Sequence, residues 1–226
     1  MSVGDRLQTV RARIGEVAER SGRDLASIKL VGISKGAPAI VVAEAIAAGL
    51  HDIGENRVQE AAPKIPEAER LAGAEPQWHL VGHLQSNKAR PALELFDTIQ
   101  SVDSLRIAQA LSRLATRPLP IMLEVQFART PDRYGFDPDA VDEAFTSVAA
   151  LPNLQLIGLM TVAPLGLTPE ATRAVFRTLR DCAARIEAQR PGMAALELSM
   201  GMSEDYEIAI EEGATIVRIG RAIFAG

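Results

Sequence analysis

Cysteine is almost absent from this sequence of 226 residues, which contains only Cys182. A single cysteine excludes intramolecular disulfides and every metal centre built from cysteine alone. Cys182 falls inside a helical pattern over residues 168–189, so we expect an inert thiol that is buried or half-buried.

Long apolar runs and an excess of basic residues are also missing. No uninterrupted apolar stretch approaches the ~20 residues of a membrane span, and residues 1–20 lack the apolar core of a signal peptide. The 24 Lys and Arg against 29 Asp and Glu give a net charge of −5, which disfavours a broad basic face for nucleic acid. We therefore expect a cytoplasmic protein that binds neither membranes nor nucleic acid.

Lysine is scarce: only Lys29, Lys35, Lys64 and Lys88 stand against 20 arginines. The two residue types serve about equally well on a surface, so a lysine kept in apolar surroundings indicates amine chemistry that arginine cannot perform. For any single lysine, chance is an equally good explanation until its position is considered.

Short apolar runs alternate with longer helical patterns along the chain. Several of the runs are apolar on both faces, as parallel strands covered by helices require. Predicted strands occupy residues 28–34, 51–54, 78–82, 98–102, 120–126, 154–161, 195–199 and 215–219.

Helical patterns separate these strands, and several have start or stop signals. Asp103 and Ser203 are predicted N-caps, residues 137–138 are a predicted helix start, and Gly49 and Gly213 are predicted helix ends. The predicted helices lie near residues 38–49, 56–72, 86–95, 103–117, 137–150, 168–189 and 204–212.

Eight strand–helix units predict an α/β fold, a single (β/α)8 TIM-type barrel in one domain over residues 1–226. The eighth unit is short, and an amphipathic helix at residues 3–20 is the natural candidate to complete the outer ring. A doubly wound open sheet is the alternative fold.

In either fold, ligands bind where the strands end, so those residues are the candidates for chemistry. Lys35 follows the first strand in apolar surroundings, where loss of water would free its amine as a nucleophile. A surface ammonium is the structural alternative.

The last two strands end in SMGMS and RIGRA. Loops after these strands often bind phosphate in barrels, and backbone N–H groups near Gly201, Ser203 and Gly220 would suit that role. Ordinary capping and a tight turn are the alternative explanation.

Arg218 interrupts the apolar run TIVRIG, and a buried guanidinium needs an acceptor. Its partner is either Glu197 or another carboxylate inside the barrel, or it is an acceptor atom of a ligand at the strand ends. His79 and His83 alternate onto one strand face, but no third metal ligand accompanies them, so we predict no metal site. A lysine at one strand end that faces a phosphate site is the minimum for pyridoxal phosphate.

Six segments together resemble the pyridoxal phosphate homeostasis proteins, one-domain relatives of the alanine racemase barrel. They are VGISKGAP (31–38), DIGENRVQE (52–60), WHLVGHLQSNKAR (78–90), YGF (134–136), GLMTVAP (158–164) and LSMGMSEDYEIAIEEGATIVRIGRAIF (198–224). They run in order over nearly the whole chain, and the set is highly specific although each segment alone is weak.

The resemblance implies that the cofactor is pyridoxal 5'-phosphate and that Lys35 holds it as a Schiff base. It also implies that Arg218 faces the pyridine nitrogen, that Asn56 lies near the ring, and that the phosphate is bound by Ser203, Gly220 and Arg221. Relatives often have threonine at position 221 and proline at position 83, so this chain exchanges a hydroxyl for a cation, and His83 has no assigned role.

The function that this resemblance implies is non-catalytic binding of the cofactor in intracellular vitamin B6 homeostasis, with no catalytic residue. We expect a monomer without catalytic turnover, because the chain ends soon after the eighth strand and lacks the second domain of racemases. Apo pyridoxal-phosphate enzymes are the expected recipients of the cofactor. The alternative is a slow pyridoxal-phosphate-dependent amino-acid racemase with Lys35 as its only base. A phosphosugar-type barrel enzyme is a third reading that fits the phosphate loops but not the six segments.

Overall fold

The computed structural model describes residues 1–128 and 134–225. Its strands are parallel and form a closed barrel in sequence order, with β8 paired to β1. This closure confirms the (β/α)8 barrel and excludes the open sheet. The strands are β1 Lys29–Ile33, β2 Asp52–Glu55, β3 Gln77–Leu80, β4 Thr98–Val102, β5 Leu119–Glu124, β6 Leu154–Met160, β7 Glu197–Ser199 and β8 Ile216–Ile219.

Helices surround the barrel, and among the described residues none is long and apolar enough to cross a membrane. Short 3-10 turns occur at Leu25–Ser27 and Ser86–Lys88. The helices are α1 Val3–Arg20, α2 Ala39–Ala47, α3 Val58–Ala72, α4 Ala89–Leu95, α5 Leu105–Leu114, α6 Val141–Ala149, α7 Pro169–Ala188, α8 Tyr206–Glu211 and α9 Arg221–Phe224.

The prediction of Asp103 as an N-cap is wrong by one residue. Helix α5 begins at Leu105, and the hydroxyl of Ser104 accepts the N–H of Ile107 at 3.4 Å. The Asp103 carboxylate instead contacts the imidazole of His83 at 2.6 Å. The Asp103 carboxylate therefore binds His83, which is distant in sequence, instead of capping helix α5.

Ser203 is not an N-cap either, because α8 begins at Tyr206 and Asp205 holds the cap position. The Asp205 carboxylate accepts the N–H of Met202 at 2.6 Å, which closes a turn before the helix. Helix α6 likewise begins late, at Val141, since a turn occupies the predicted start at 137–138. The predicted ends at residues 49 and 213 are confirmed, as both glycines have positive φ just beyond a helix.

Helix α1 completes the outer ring, as predicted, by packing between α2 and the α8–α9 pair. Its apolar stripe Leu7, Val10, Ile14 and Val17 is buried. Two arginines of the helix also donate to carbonyls that end neighbouring elements: Arg6 to Ile223 at 2.7 Å and Arg11 to Gly49 at 2.6 Å.

The apolar core has two parts. A large cluster fills the layer between the sheet and the helices, and it includes Cys182, whose thiol is buried as expected. A small cluster lies inside the barrel and consists of Val31, Ile33, Met122, Met160 and Ile216. The small inner cluster leaves room in the lumen for buried polar side chains.

Ion pairs hold helix α8 between its two neighbours. Glu207 accepts from Arg13 and Arg20 of α1. Glu212, directly after α8, is only 6% exposed and accepts from three arginines of α7. These are Arg173 at 3.0 Å, Arg177 at 3.1 Å and Arg180 at 3.1 Å.

We expect Glu212→Gln to lower the free energy of unfolding by about 1 to 2 kcal/mol at pH 7, because three guanidinium groups lose a shared anion. Burial, the largest influence, raises the pKa of Glu212, but hydrogen bonds from Arg177 and Arg173 outweigh it and leave the pKa below its usual value. Stability from such a group is present above the unfolded pKa and is lost as pH falls through the folded pKa.

Urea unfolding of the wild type and Glu212→Gln at pH 7, and then over about pH 5 to 3, measures this effect. The difference between the two proteins should shrink as the pH falls. Glu75→Gln, at an exposed carboxylate for which the described residues offer no ion pair, is the matched control. A constant difference across this pH range would contradict the assignment.

Candidate functional site

A cavity of about 470 Å³ opens at the carboxyl ends of the strands. It is formed where β8 meets β1, with Val31 opposite Arg218 and Gly32 opposite Ile219. Its volume is typical of a small-molecule site. The structure brings five of the six predicted residues to this cavity: Lys35, Ser203, Arg218, Gly220 and Arg221.

Lys35 lies at the rim of this cavity, two residues beyond the end of β1. Its side chain is exposed, and its ammonium group has no hydrogen bond or ion pair within the described part of the chain. The expectation of a water-excluded amine is therefore wrong, because the strand ends before the lysine and leaves it at the open mouth. The free amine is accessible to a ligand that enters the cavity.

The residue before Lys35 is held by a buried ion pair. Glu55 is fully buried, and its Oε1 accepts from Ser34 Oγ at 2.6 Å and from Lys64 Nζ at 2.7 Å. Lys64 also donates to the carbonyl oxygen of Ser34 at 2.9 Å. Three hydrogen bonds thus fix the turn that presents Lys35.

Arg218 is buried in the barrel, at 3% exposure, and it lines the floor of the cavity. Its Nη1 donates to Ser199 Oγ at 2.5 Å and its Nη2 to the carbonyl of Thr161 at 2.7 Å. The prediction of Glu197 as its protein partner is wrong, since the described residues include no ion pair to Arg218. Glu197 lies two residues earlier on β7 than the serine that takes this role.

Both acceptors of Arg218 are neutral, so burial is poorly compensated there. Burial lowers the pKa of Arg218 to about 10, although the charges of Glu124 and Asp205 act in the opposite direction. The guanidinium keeps further N–H groups beyond the two it uses, and it has no acceptor atom. It can therefore only donate to a ligand.

The two loops after β7 and β8 line the opposite side of the cavity. Gly201 has φ +91°, and a Cβ there would approach Tyr206 Cα to 2.8 Å, so only glycine fits this turn. Within the described residues, no carbonyl accepts from the backbone N–H groups of Ser203, Gly220 or Arg221. These N–H groups are available to an anion.

The positive charge of the Arg221 side chain is largely balanced by a neighbouring carboxylate. The side chain is 76% exposed and pairs with the equally exposed Glu204 across the rim. Because that carboxylate already accompanies the guanidinium, we expect the backbone N–H of Arg221, rather than its side chain, to contact an anion.

Asn56 does not line the main cavity. It follows β2 and borders a neighbouring pocket of about 540 Å³ together with Gly82, His83 and Lys88. The Asn56 carbonyl lies so close to Gly82 that a Cβ there would approach it to 2.2 Å. Asn56 therefore borders the pocket next to the main cavity, and its place near the cofactor ring stays a prediction.

The two histidines of the WHLVGH segment occupy separate environments. His79 lies within the barrel between Asp52 and Gln100. His83 lies beyond the end of β3, where it stacks on Tyr134 with ring centroids 3.6 Å apart. Neither belongs to a group of three metal-ligating side chains in residues 1–128 and 134–225.

Sequence reasoning missed the residues that hold Arg218 from behind. Ser199 and Gln100 are fully buried, and the Ser199 hydroxyl donates to Gln100 Oε1 at 2.6 Å. The available signal was a polar residue inside each predicted strand, Gln100 in TIQSV and Ser199 in ELS. That pattern indicates a buried hydrogen bond but does not identify its partner.

The chemistry of the cavity fits a small phosphorylated aldehyde that contains a ring acceptor. Lys35 supplies an accessible amine, Arg218 supplies buried N–H donors, and the two loops supply backbone N–H groups for a phosphate. This donor set fits pyridoxal phosphate, the cofactor that the sequence resemblance implies.

We expect Lys64→Met to destabilise the protein by about 3 kcal/mol or more, because the fully buried Glu55 would lose its counter-charge. Adding Glu55→Gln should recover much of the loss, since the buried charge is then removed. Urea unfolding of the two variants measures this, with Lys29→Met as the control because the Lys29 side chain is 47% exposed. Equal losses in Lys64→Met and the double variant would contradict a buried ion pair.

The family described as "Alanine racemase, N-terminal domain" matches residues 6–226 of the chain. A pyridoxal phosphate homeostasis protein of Pseudomonas aeruginosa is 41% identical over 226 residues, which cover 99% of this chain and 95% of that protein. The protein of the same name from Escherichia coli is 37% identical over 229 residues, covering 98% and 95%.

Solved structures give the same result. PipY of Synechococcus elongatus with PLP bound is 40% identical with a TM-score of 0.86, covering 99% of this chain and 100% of that one. Alanine racemase of Corynebacterium glutamicum is 17% identical with a TM-score of 0.69, covering 97% and 62%, a likeness of fold alone. Identity of this level over the full length means that the chain belongs to the pyridoxal phosphate homeostasis protein family.

Proposed function

We propose that this protein binds pyridoxal 5'-phosphate in the main cavity, at the carboxyl ends of the strands, and serves intracellular vitamin B6 homeostasis. Lys35 is the residue that holds the cofactor. One observation carries the proposal: an amine and two loops with N–H groups that have no partner among the described residues meet a buried donor in one cavity. Two relatives named for this role and a solved relative with PLP bound support it.

Lys35 has the position and the accessibility to form a Schiff base. Its amine would hold pyridoxal phosphate, whose aldehyde would supply the carbonyl group for a Schiff base, with loss of water. The Glu55–Lys64 pair orients the turn at Ser34 and so directs the amine into the cavity.

The phosphate is held by backbone N–H groups of Ser203, Gly220 and Arg221 at the other side of the cavity. Backbone donors suit a phosphate because they are fixed in place and point at the anion. The Ser203 hydroxyl, which no described residue engages, is a further donor. Asn56 would contact the cofactor ring from the neighbouring pocket if the ring extends toward the end of β2.

Arg218 determines what the bound cofactor can do. Pyridoxal phosphate withdraws electrons from a bound amino acid most strongly when its ring nitrogen is protonated. Arg218 can only donate to that nitrogen, so it favours the unprotonated ring. We therefore propose a carrier or regulator without useful turnover, and a slow amino-acid racemase is the alternative.

We also propose that the protein acts in the cytoplasm, functions as a monomer and passes the cofactor to apo enzymes. Light scattering of the loaded protein measures its oligomeric state. Mixing the loaded protein with an apo enzyme that needs pyridoxal phosphate, and then measuring the activity gained by that enzyme, tests the transfer.

We expect Lys35→Ala to abolish both the visible absorption of the loaded protein and covalent trapping of the cofactor by borohydride. The physical reason is that the other lysines are either paired in the structure or outside the main cavity. Absorption spectra before and after borohydride, followed by peptide mapping, make the measurement.

Lys88→Ala is the matched control, because Lys88 lies at the neighbouring pocket and should leave trapping unchanged. Trapping on Lys29, Lys64 or Lys88 in the wild type would refute the assignment. Fast racemisation of an amino acid by the wild type that is lost in Lys35→Ala would favour the enzyme alternative instead.

We expect Ser203→Asp to weaken pyridoxal phosphate binding about tenfold or more, because a carboxylate would face the phosphate across a short distance. Ser203→Ala should have a smaller effect, since it keeps the backbone N–H. Fluorescence or absorption titration measures the dissociation constants, and inorganic phosphate should compete.

Thr116→Asp is the charge-matched control, because it adds the same charge in the loop before β5, at the opposite end of the barrel. If pyridoxal without its phosphate binds the wild type as tightly as pyridoxal phosphate, the loops do not hold a phosphate.

A further inference from the structure

A continuous chain of hydrogen bonds crosses the inside of the barrel behind Arg218. Arg218 Nη1 bonds Ser199 Oγ at 2.5 Å, and Ser199 Oγ bonds Gln100 Oε1 at 2.6 Å. Gln100 Nε2 bonds His79 Nδ1 at 3.1 Å, and His79 Nε2 bonds Asp52 Oδ1 at 3.0 Å. The chain links five strands, and its Ser199–Gln100 bond spans the lumen between β7 and β4, which are not neighbours in the sheet.

The chemistry at the two ends determines the direction of every bond. Arg218 has no acceptor atom, so Ser199 must accept from it. Ser199 then has one proton to give, and Gln100 Oε1 receives it. The orientation of the Gln100 amide follows, with its NH2 group toward His79.

The same constraint reaches the imidazole. Because Gln100 donates to it, Nδ1 of His79 must lack a proton, and the ring carries its proton on Nε2. That proton is donated to Asp52, a carboxylate next to Lys29 at 3.4 Å. Burial, the largest influence, raises the pKa of Asp52, but the hydrogen bond from His79 and the charge of Lys29 outweigh it, so the group remains an acceptor.

Reversing the donor and acceptor ends of the Gln100 amide would break this series of hydrogen bonds. A flipped Gln100 amide would direct its NH2 group at Ser199, whose proton would then lose its acceptor, and would direct its oxygen at the lone pair of His79 Nδ1. Both errors are costly in a lumen where His79, Gln100 and Ser199 are all buried. The chain therefore has one low-energy arrangement.

We propose that Gln100 and His79 are positioning residues for the cofactor ring, acting through Ser199 on Arg218. They hold the guanidinium in one orientation, so that its remaining N–H groups face the ring nitrogen of a ligand in the cavity. The proposal rests on the proposed function for the contact between Arg218 and the ring.

The test compares pyridoxal phosphate with an analogue in which CH replaces the ring nitrogen. We expect the wild type to bind the analogue about tenfold more weakly, the effect of losing one hydrogen bond from a charged donor. Gln100→Met should weaken binding of pyridoxal phosphate about tenfold. It should weaken binding of the analogue less than about twofold, because the analogue has no ring nitrogen to accept a hydrogen bond from Arg218. A residue with only a structural role would weaken both ligands equally.

Gln155→Met is the matched control, since Gln155 is an exposed strand residue outside the lumen, and it should bind both ligands like the wild type. If Gln100→Met does not fold, Ser199→Ala replaces it. That variant removes the hydroxyl that links Gln100 to Arg218, so it should weaken pyridoxal phosphate binding more than binding of the analogue.

A second measurement needs no cofactor. The protein has three histidines, so ¹⁵N NMR can assign the ring of His79 readily. We expect the Nε2-protonated tautomer in the wild type, with the Asp52 carboxylate accepting that proton and Gln100 donating to Nδ1.

Three results separate the possibilities. Failure of the wild type to bind pyridoxal phosphate would refute the proposed function itself. Normal binding with equal weakening of both ligands in Gln100→Met, or with no weakening of either, would overturn only the positioning role. A proton on Nδ1 of His79 in the wild type would overturn it as well, because the direction of the chain would then be wrong.

Discussion

The pairing of β8 with β1 is the contact on which the whole site depends. Lys35 follows the first strand, whereas Arg218 and Gly220 belong to the end of the chain. The register that places Val31 opposite Arg218 brings these two ends of the sequence to one rim. In an open sheet with β1 and β8 unpaired, the Lys35 amine would be separated from Arg218 and Gly220. Closure therefore creates the cavity as well as stabilising the fold.

Closure also creates a lumen that must be filled, and this protein fills part of it with polar groups. The inner apolar cluster is small, and a buried guanidinium, an imidazole, an amide and a hydroxyl share the remaining space. Such groups are costly to bury unless every donor finds an acceptor. The hydrogen-bond chain from Arg218 to Asp52 gives each of these four groups a partner, and the same bonds orient the guanidinium that faces the cavity.

The two sides of the cavity are supported in different ways. The lysine side relies on the buried Glu55–Lys64 pair, which fixes the turn at Ser34. The loop side relies on α8, whose ends are tied to α1 and α7 by exposed arginines around Glu207 and Glu212. In each case ion pairs hold the segment next to the cavity. Within the described residues, the Lys35 amine and the backbone N–H groups of Ser203 and Gly220 have no partner and are available to a ligand.

Local sequence was sufficient to predict the eight strands, the outer helices and the residues that end the strands, because periodicity and capping residues act over a few positions. It was also sufficient for the family, through six segments in order. It could not predict that Lys35 is exposed, that Asn56 borders another pocket, that Ser203 precedes the helix cap, or that Ser199 rather than Glu197 receives Arg218. The positions of Lys35 and Ser203 depend on where β1 and α8 end, and capping residues define element ends only to within a few positions. The positions of Asn56 and Ser199 depend on which residues the closed sheet places next to each other, and strand register sets that between residues far apart in the chain.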